Sequence, residues 1–140
     1  MGEIIFESEG LWTTVQDKGR YGFADQGIPI SGPMDQISFE LVNKLLRKSA
    51  GSACVEIYMG GLKLKFSTTC QIGFYGALAE ITIGNKFFFP GQIIPVEKGN
   101  TLFISPFQKG QWLYLSLNGS IESESVLGSQ CFYKNITDKP

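Results

Sequence analysis

The chain has 140 residues, 43% of them hydrophobic and 18% charged, which excludes an intrinsically disordered protein and suits one globular domain. Its formal net charge is -1 without any basic run, so we expect no nucleic-acid partner. Histidine is absent, which excludes a Ser-His-Asp or Cys-His nucleophile and a histidine metal site within this chain. We predict no metal site.

Targeting signals are not evident in the sequence. No apolar run is long enough to cross a membrane, and the N-terminus lacks the basic and apolar regions of a signal peptide. The three cysteines, Cys54, Cys70 and Cys131, are odd in number and widely spaced, which favours buried free thiols over disulfides or zinc ligands. We therefore expect a cytoplasmic protein that does not associate with membranes.

Two short strands, "EIIFES" and "LWTTVQ", open the chain, because aromatic and β-branched residues dominate both. The segment "TTVQDKGRYGFADQGIPISGPMD" overlaps the second strand and continues as a polar, glycine-rich loop. Connections inside compact domains are usually shorter than this, and unusually long ones are often functional.

One helix is predicted, in "PMDQISFELVNKLLRK". Its buried face is predicted from apolar residues that recur at helical spacing, namely Met34, Ile37, Leu41 and Leu45. Ser31 or Gly32 is the expected N-cap. Pro33 suits the first turn, and Asp35 complements the helix dipole.

Strand patterns fill the chain from Cys54 to the segment "WLYLSL". Gly60-Gly61 predicts a hairpin, "LKLKF" alternates strictly between apolar and charged residues, and Gly84-Asn85 predicts a second tight turn. Many short strands separated by turn signals predict a mainly β fold, an antiparallel barrel or sandwich with one short helix inserted early.

The charged residues of the long loop are candidates for chemistry. Arg20 could bind a carboxylate through two hydrogen bonds, and Asp17 or Asp35 could act as a general base if burial raised its pKa. The alternative is a structural loop in which Asp17 and Arg20 form an internal salt bridge and Asp35 is a helix N-terminal charge. Glu56 interrupts the apolar strand "CVEIYM"; we expect it to point outward, because an inward carboxylate would need a partner.

These motifs, in this order, resemble the KipA family. The resemblance rests on "TTVQDKGRYGFADQGIPISGPMD", "VNKLL", "VEIYMGGLKLKF", "FYGA" and "VLGSQCFY". The family is also called allophanate hydrolase subunit 2, or the biotin-dependent carboxyltransferase domain family, and includes the C-type 5-oxoprolinase subunit. The resemblance implies a cyclophilin-like β-barrel, and a chain that is the N-terminal half of the family's length, as one domain over residues 1–140.

The resemblance also implies site residues. It makes Asp17, Arg20 and Asp35 the candidate catalytic residues. The positions implied to bind substrate are Thr14, Gln16, Gly19, Gly32, Met34, Asn43, Glu56, Gly76 and Ser129. One departure concerns Gln130, which stands where the family usually has an arginine.

The function implied by the resemblance is a subunit of an ATP-dependent 5-oxoprolinase. Such a subunit acts on its small-molecule substrate with a KipI-like subunit and a LamB/YcsF-type subunit, so ATP is expected at the level of the complex and the isolated chain is expected to be inactive. One alternative is the carboxyltransferase part of a urea carboxylase, which would use biotin. Another is a regulatory protein that binds and antagonises a KipI-type kinase inhibitor.

Overall fold

The structure, a computed structural model, describes residues 2–138 and consists mainly of antiparallel β-strands. One α-helix, α1, covers Gln36–Leu45. The strands are β1 (Ile4–Ser8), β2 (Trp12–Gln16), β3 (Cys54–Tyr58), β4 (Leu62–Phe66), β5 (Cys70–Leu78), β6 (Ile81–Ile83), β7 (Lys86–Phe88), β8 (Ile93–Val96), β9 (Thr101–Ile104) and β10 (Lys109–Leu117). The mainly β fold with one early helix is confirmed, and so is each predicted strand.

The strands pair into two five-stranded sheets. The first sheet has the order β1-β4-β9-β6-β7, and the second has the order β2-β3-β10-β5-β8. All pairings are antiparallel within the described residues. The turn at Gly84-Asn85 joins β6 to β7 as a hairpin, as predicted.

The main core lies between the two sheets. In β4 the alternation of the sequence is obeyed, with Leu62, Leu64 and Phe66 buried and the two lysines exposed. The same cluster takes Val55 and Ile57 from β3, together with apolar residues of β5, β8 and β10. Because side chains alternate along a strand, the intervening residues of the second sheet point away from this core. Its outer face is covered by α1, which packs on β5 and β10.

The predicted hairpin at Gly60-Gly61 is wrong, because β3 belongs to the second sheet and β4 to the first. Met59, Gly60 and Gly61 all have positive φ, so the chain turns away from β3 instead of reversing beside it. The connection is held across the molecule by the Gly61 N–H, which donates to the Ile104 carbonyl over 3.0 Å. A second crossing, at Gly10 between β1 and β2, passes against it.

The helix forms where predicted, but its buried face and its cap differ. Phe39 and Val42 are fully buried against the second sheet, whereas Ile37 is 72% exposed. Asp35, not Ser31 or Gly32, is the N-cap, since its side chain accepts from the Ser38 N–H. The cap starts the helix later than expected, and the aromatic Phe39 outweighs the aliphatic stripe in filling the space above the sheet.

Among residues 2–138, no helix combines the length and the apolar character that a membrane span requires.

Candidate functional site

A row of polar side chains crosses the outer face of the second sheet. Thr14 of β2 lies opposite Glu56 of β3, Glu56 lies opposite Tyr114 of β10, and Tyr114 lies opposite Tyr75 of β5. Residues that face each other across a sheet project on the same side, so these four side chains form one line. The line places a carboxyl group between two central strands of the sheet.

The Glu56 carboxyl group is held by one of its two oxygens. Glu56 Oε2 accepts from the Tyr114 hydroxyl over 2.7 Å and from the Met34 N–H over 2.8 Å. Glu56 Oε1 accepts no hydrogen bond from the described residues. Since the one side-chain oxygen that is both fully buried and unpartnered in residues 2–138 is Gln16 Oε1, Glu56 Oε1 keeps some contact with solvent. The carboxyl group therefore presents one fixed oxygen and one free oxygen.

The expectation that Glu56 points outward to solvent is wrong, since the residue is only 3% exposed. Its partners come from the loop and from β10, which no local pattern in "CVEIYM" could show. Burial raises the pKa of Glu56, and the hydrogen bonds from Met34 and Tyr114 offset only part of that rise. A carboxyl group whose pKa is raised toward neutrality suits proton transfer.

Asp17 anchors the start of the long loop to a segment near residue 130. Its carboxylate accepts from the Gly19 N–H at 2.8 Å, the Ser129 hydroxyl at 2.6 Å and the Gln130 N–H at 2.8 Å, and the Cys131 thiol lies 3.0 Å away. Burial alone would raise the pKa of Asp17, but these hydrogen bonds together hold it below its usual value. The group is an ionised acceptor, which disfavours the predicted role of general base.

Arg20 is 1% exposed and does not form the salt bridge with Asp17 that the sequence left open. Its guanidinium donates to the carbonyls of Val126 and Cys131 and to the Ser31 hydroxyl. Its N–H donates to the Ile30 carbonyl over 2.8 Å, which closes the loop on itself. Each of these contacts is internal, and the role of Arg20 as a catalytic residue stays a prediction.

Asp35 links the end of the loop to the Glu56 row. Its carboxylate caps α1 by accepting from the N–H and hydroxyl of Ser38, which confirms the helix N-terminal role expected as the structural alternative. Its own N–H donates to the Tyr114 hydroxyl over 2.8 Å. The neighbouring Met34 contributes its N–H to Glu56, while its side chain is 68% exposed. The structure thus brings Asp35, Met34 and Glu56 together.

Three other predicted binding residues are buried and engaged elsewhere. Asn43 lies under α1, donating to the Ser52 carbonyl and accepting from the Ser116 hydroxyl. Thr14 accepts from the Gln16 side-chain amide over 3.0 Å, which leaves Gln16 Oε1 without a partner among the described residues. Asn43 and Thr14 therefore support the site from beneath.

The remaining predicted residues act through backbone geometry or through Asp17. Gly19, Gly32 and Gly76 all have positive φ. A side chain at Gly76 would also strike the Trp112 carbonyl, with Cβ only 2.3 Å from its oxygen, because β5 passes very close to β10 there. Ser129 is buried against Asp17. These residues shape the loop and the sheet around Glu56.

An aromatic surface borders the Glu56 row, two positions along the strands. Trp12, Tyr58 and Trp112 lie opposite one another across β2, β3 and β10. Tyr58 and Trp112 pack with their ring centroids 4.8 Å apart, and Phe132 meets Trp12 edge-on at 5.7 Å. Trp12 is about half exposed, so a flat molecule could lie against this row beside Glu56.

Tyr114 is the site residue that sequence reasoning missed. In "WLYLSL", Leu113 and Leu115 face the main core, so Tyr114 and Ser116 must face the other side of the sheet. Glu56 interrupts "CVEIYM" in the same way. Two polar interruptions in strands that both face the helix were the available signal, but it depends on knowing that β3 and β10 are neighbours.

Acidic, cysteine and histidine side chains do not come together in threes anywhere in residues 2–138, so the described part of the chain contains no cluster that could hold a metal ion.

The family is decided by comparison with known proteins. The model of the carboxyltransferase domain, subdomain A and B, matches residues 26–136. The chain belongs to this carboxyltransferase domain family. The match begins inside the long loop and includes Glu56, Tyr114 and Ser129.

Relatives in the carboxyltransferase domain family include two kinds of enzyme. The chain is 35% identical to a urea amidolyase of Lachancea kluyveri over 88% of its own length and 7% of that protein. It is 32% identical to the C-type 5-oxoprolinase subunit of Escherichia coli (strain K12), over 86% of this chain and 39% of that protein. The chain thus spans well under half the length of these relatives.

Two solved structures have the same fold. The crystal structure of TTHA0988 superposes with a TM-score of 0.90 at 28% sequence identity, covering 98% of this chain and 52% of that one. The K. lactis urea amidolyase superposes with a TM-score of 0.87 at 33% identity, covering 91% of this chain and 8% of that one. The two-sheet arrangement is therefore shared with carboxyltransferase domain structures.

Proposed function

We propose that this chain contributes a proton-transfer group to an ATP-dependent 5-oxoprolinase, which opens 5-oxoproline to glutamate with KipI-like and LamB/YcsF-type subunits. The observation that carries the proposal is the Glu56 carboxyl group, with Oε2 fixed and Oε1 free. Its occurrence in a chain 32% identical to a 5-oxoprolinase component supports the choice of reaction.

The chemistry of ring opening fits such a carboxyl group. Opening the five-membered ring breaks the amide C–N bond and adds water across it, so the nitrogen must gain a proton before it leaves as an amine. A carboxyl group with a raised pKa can carry that proton, provided that it reaches the nitrogen. Glu56 Oε1 is the oxygen that remains available, and the aromatic row of Trp12, Tyr58 and Trp112 offers a flat surface for the ring.

ATP does not fit the residues of this chain. The loop amides of Arg20, Met34 and Asp35 already donate to internal acceptors, so they do not form an empty phosphate cradle. The Arg20 guanidinium is likewise occupied by backbone carbonyls. We therefore assign ATP to one of the partner subunits.

The test uses the full chain together with its candidate partner subunits. Glutamate release from 5-oxoproline and ATP is measured for the wild type and for Glu56→Gln, which keeps an acceptor oxygen for the two contacts but cannot transfer a proton. We expect turnover to fall at least about 100-fold, the usual effect of losing an acid-base group. Asp25→Asn, at an exposed carboxylate of the same loop, is the matched control. Full activity of Glu56→Gln would refute the assignment.

A second candidate is the carboxyltransferase step of a urea carboxylase, favoured by the 35% identity to the Lachancea kluyveri urea amidolyase. Biotin would supply the carboxyl group in that case, and its flat ureido ring fits the exposed face of Trp12. Biotin-dependent carboxylation of urea, without glutamate release from 5-oxoproline, would favour this reading. Binding to a KipI-like protein without either reaction would favour the regulatory alternative.

A further inference from the structure

We propose that Tyr114 is the positioning residue that confines proton exchange by Glu56 to its free oxygen, Oε1. The inference rests on the proposed function, in which Glu56 transfers a proton. It goes further by naming the residue that sets the geometry and the oxygen that carries the proton.

The direction of each hydrogen bond follows from the chemistry of the groups. The Asp35 N–H can only donate, so the Tyr114 oxygen, 2.8 Å away, accepts from it. The Tyr114 hydrogen is then directed at Glu56 Oε2, 2.7 Å away. The Met34 N–H also donates to Oε2, over 2.8 Å. With two donors converging on Oε2, a proton taken up by Glu56 must sit on Oε1.

Tyr114 is well suited to hold this geometry. It is fully buried on the central strand of the second sheet, and its ring packs edge-on against Phe39 of α1 at a centroid distance of 6.1 Å. Its hydroxyl also contacts the loop through Asp35, so the loop, the helix and the sheet all meet at one side chain. Rotation of the ring would break both hydrogen bonds of the hydroxyl.

The charged and titratable groups around Glu56 are few. From the loop, the Asp35 carboxylate is occupied by Ser38 at the helix cap. From β10 and β5 come Tyr114 and Tyr75, while β2 contributes the uncharged Thr14. Among residues 2–138, the one ion pair is between Lys63 and Glu7 in the first sheet, so no salt bridge holds Glu56. Hydrogen bonds, rather than a neighbouring cation, therefore control this carboxyl group.

The first test titrates the Glu56 carboxyl group in the purified chain by carbon-13 NMR, with Glu56→Gln identifying its signal. Tyr114→Phe removes one donor to the ionised carboxylate, so the pKa of Glu56 should rise by about 1 unit. Tyr75→Phe removes a hydroxyl from the facing position on β5, one that makes no hydrogen bond among the described residues, and should leave the titration unchanged. An unchanged pKa in Tyr114→Phe would overturn the proposal.

Two further measurements keep the inference testable. If Tyr114→Phe does not fold, replacement of tyrosine by 3-fluorotyrosine, a stronger donor, should lower the pKa of Glu56, and a failure to do so counts against Tyr114. In the assembled complex, the pH profile of turnover should shift upward with Tyr114→Phe and not with Tyr75→Phe. Absence of turnover would count against the proposed function alone, because the NMR titration does not depend on it.

Discussion

The Ser129 hydroxyl lies 2.6 Å from Asp17 Oδ1, although 112 residues separate the two in the chain. With the Gln130 N–H on the other carboxylate oxygen, this contact fastens the beginning of the long loop to the segment around 126–131. Arg20 fastens the same two segments a few residues further on. The loop is thus held at both ends, by Asp17 and Arg20 on one side and by Asp35 on the other.

Replacing Asp17 by Ala should destabilise the chain by about 3 kcal/mol, because three donors in a partly buried site lose their acceptor. Urea unfolding at neutral pH measures the effect. Asp25→Ala removes an exposed carboxylate from the same loop and should change the free energy of unfolding by less than about 0.5 kcal/mol. Equal effects of the two substitutions would contradict the anchoring role of Asp17.

The contribution of Asp17 should also depend on pH. The pKa of this carboxyl group is below its ordinary value of 3.8 in the folded chain, so the stabilisation is complete above about that pH and is lost as the pH falls through the folded value. The difference in unfolding free energy between the wild type and Asp17→Ala should therefore shrink during acid titration. A difference that stays constant down to about pH 2 would argue that the ionised carboxylate is not what stabilises the loop.

Arg20→Lys should be nearly as damaging as Arg20→Ala, with a loss of about 3 kcal/mol in either variant. A single ammonium group cannot reach two carbonyls and a hydroxyl at the positions where the planar guanidinium holds them. Thermal unfolding of the two variants beside Lys18→Ala, at an exposed cation of the same loop, is the measurement. Wild-type stability in Arg20→Lys would mean that charge alone matters.

Glu56→Gln should make the folded chain more stable at neutral pH. The folded pKa of Glu56 lies above its ordinary value of 4.5, so the protonated carboxyl group favours folding and this stabilisation is lost as the pH rises through the folded value. The stability advantage of Glu56→Gln should grow from about pH 4.5 upward and then level off. Urea unfolding across that range measures it. An advantage that shrinks as the pH rises would contradict the raised pKa.

Phe39→Ala should cost about 3–5 kcal/mol, because the ring is fully buried between α1 and the second sheet. Ile37→Ala, on the exposed side of the same helix, should cost less than about 0.5 kcal/mol. Denaturant unfolding of both variants distinguishes the observed helix face from the one that the aliphatic spacing predicts. The reverse order of effects would restore the predicted face.

Much of the fold could be predicted from the sequence because strand patterns are local. Alternation in "LKLKF" and turn residues at Gly84-Asn85 depend only on neighbours, and both predictions are confirmed. The partners of each strand are not local, which is why the predicted Gly60-Gly61 hairpin is wrong. The helix face is wrong for a related reason, since Phe39 is buried by a sheet whose position the helix sequence does not encode.

The site was less accessible to sequence reasoning than the fold. The long loop could be singled out by its length and composition, but the contacts of Asp17 and Arg20 include partners more than 100 residues away in the chain. The outward orientation expected for Glu56 is wrong because its two donors, the Met34 N–H and the Tyr114 hydroxyl, are also distant in sequence. Long-range hydrogen bonds decide which polar residues are structural, and a local pattern contains no trace of them.

The two chain crossings between the sheets have a consequence for how the protein folds. A side chain at Gly10 would place Cβ 2.6 Å from the Gly60 carbonyl oxygen, so the crossing from β1 to β2 touches the crossing from β3 to β4. A slip of one residue in either sheet would displace a crossing and so disturb the other sheet as well. The two sheets therefore cannot acquire their registers independently, and folding must wait for distant strands to meet. That requirement favours slow folding, on the millisecond-to-second scale of nonlocal β proteins, and a single cooperative unfolding transition.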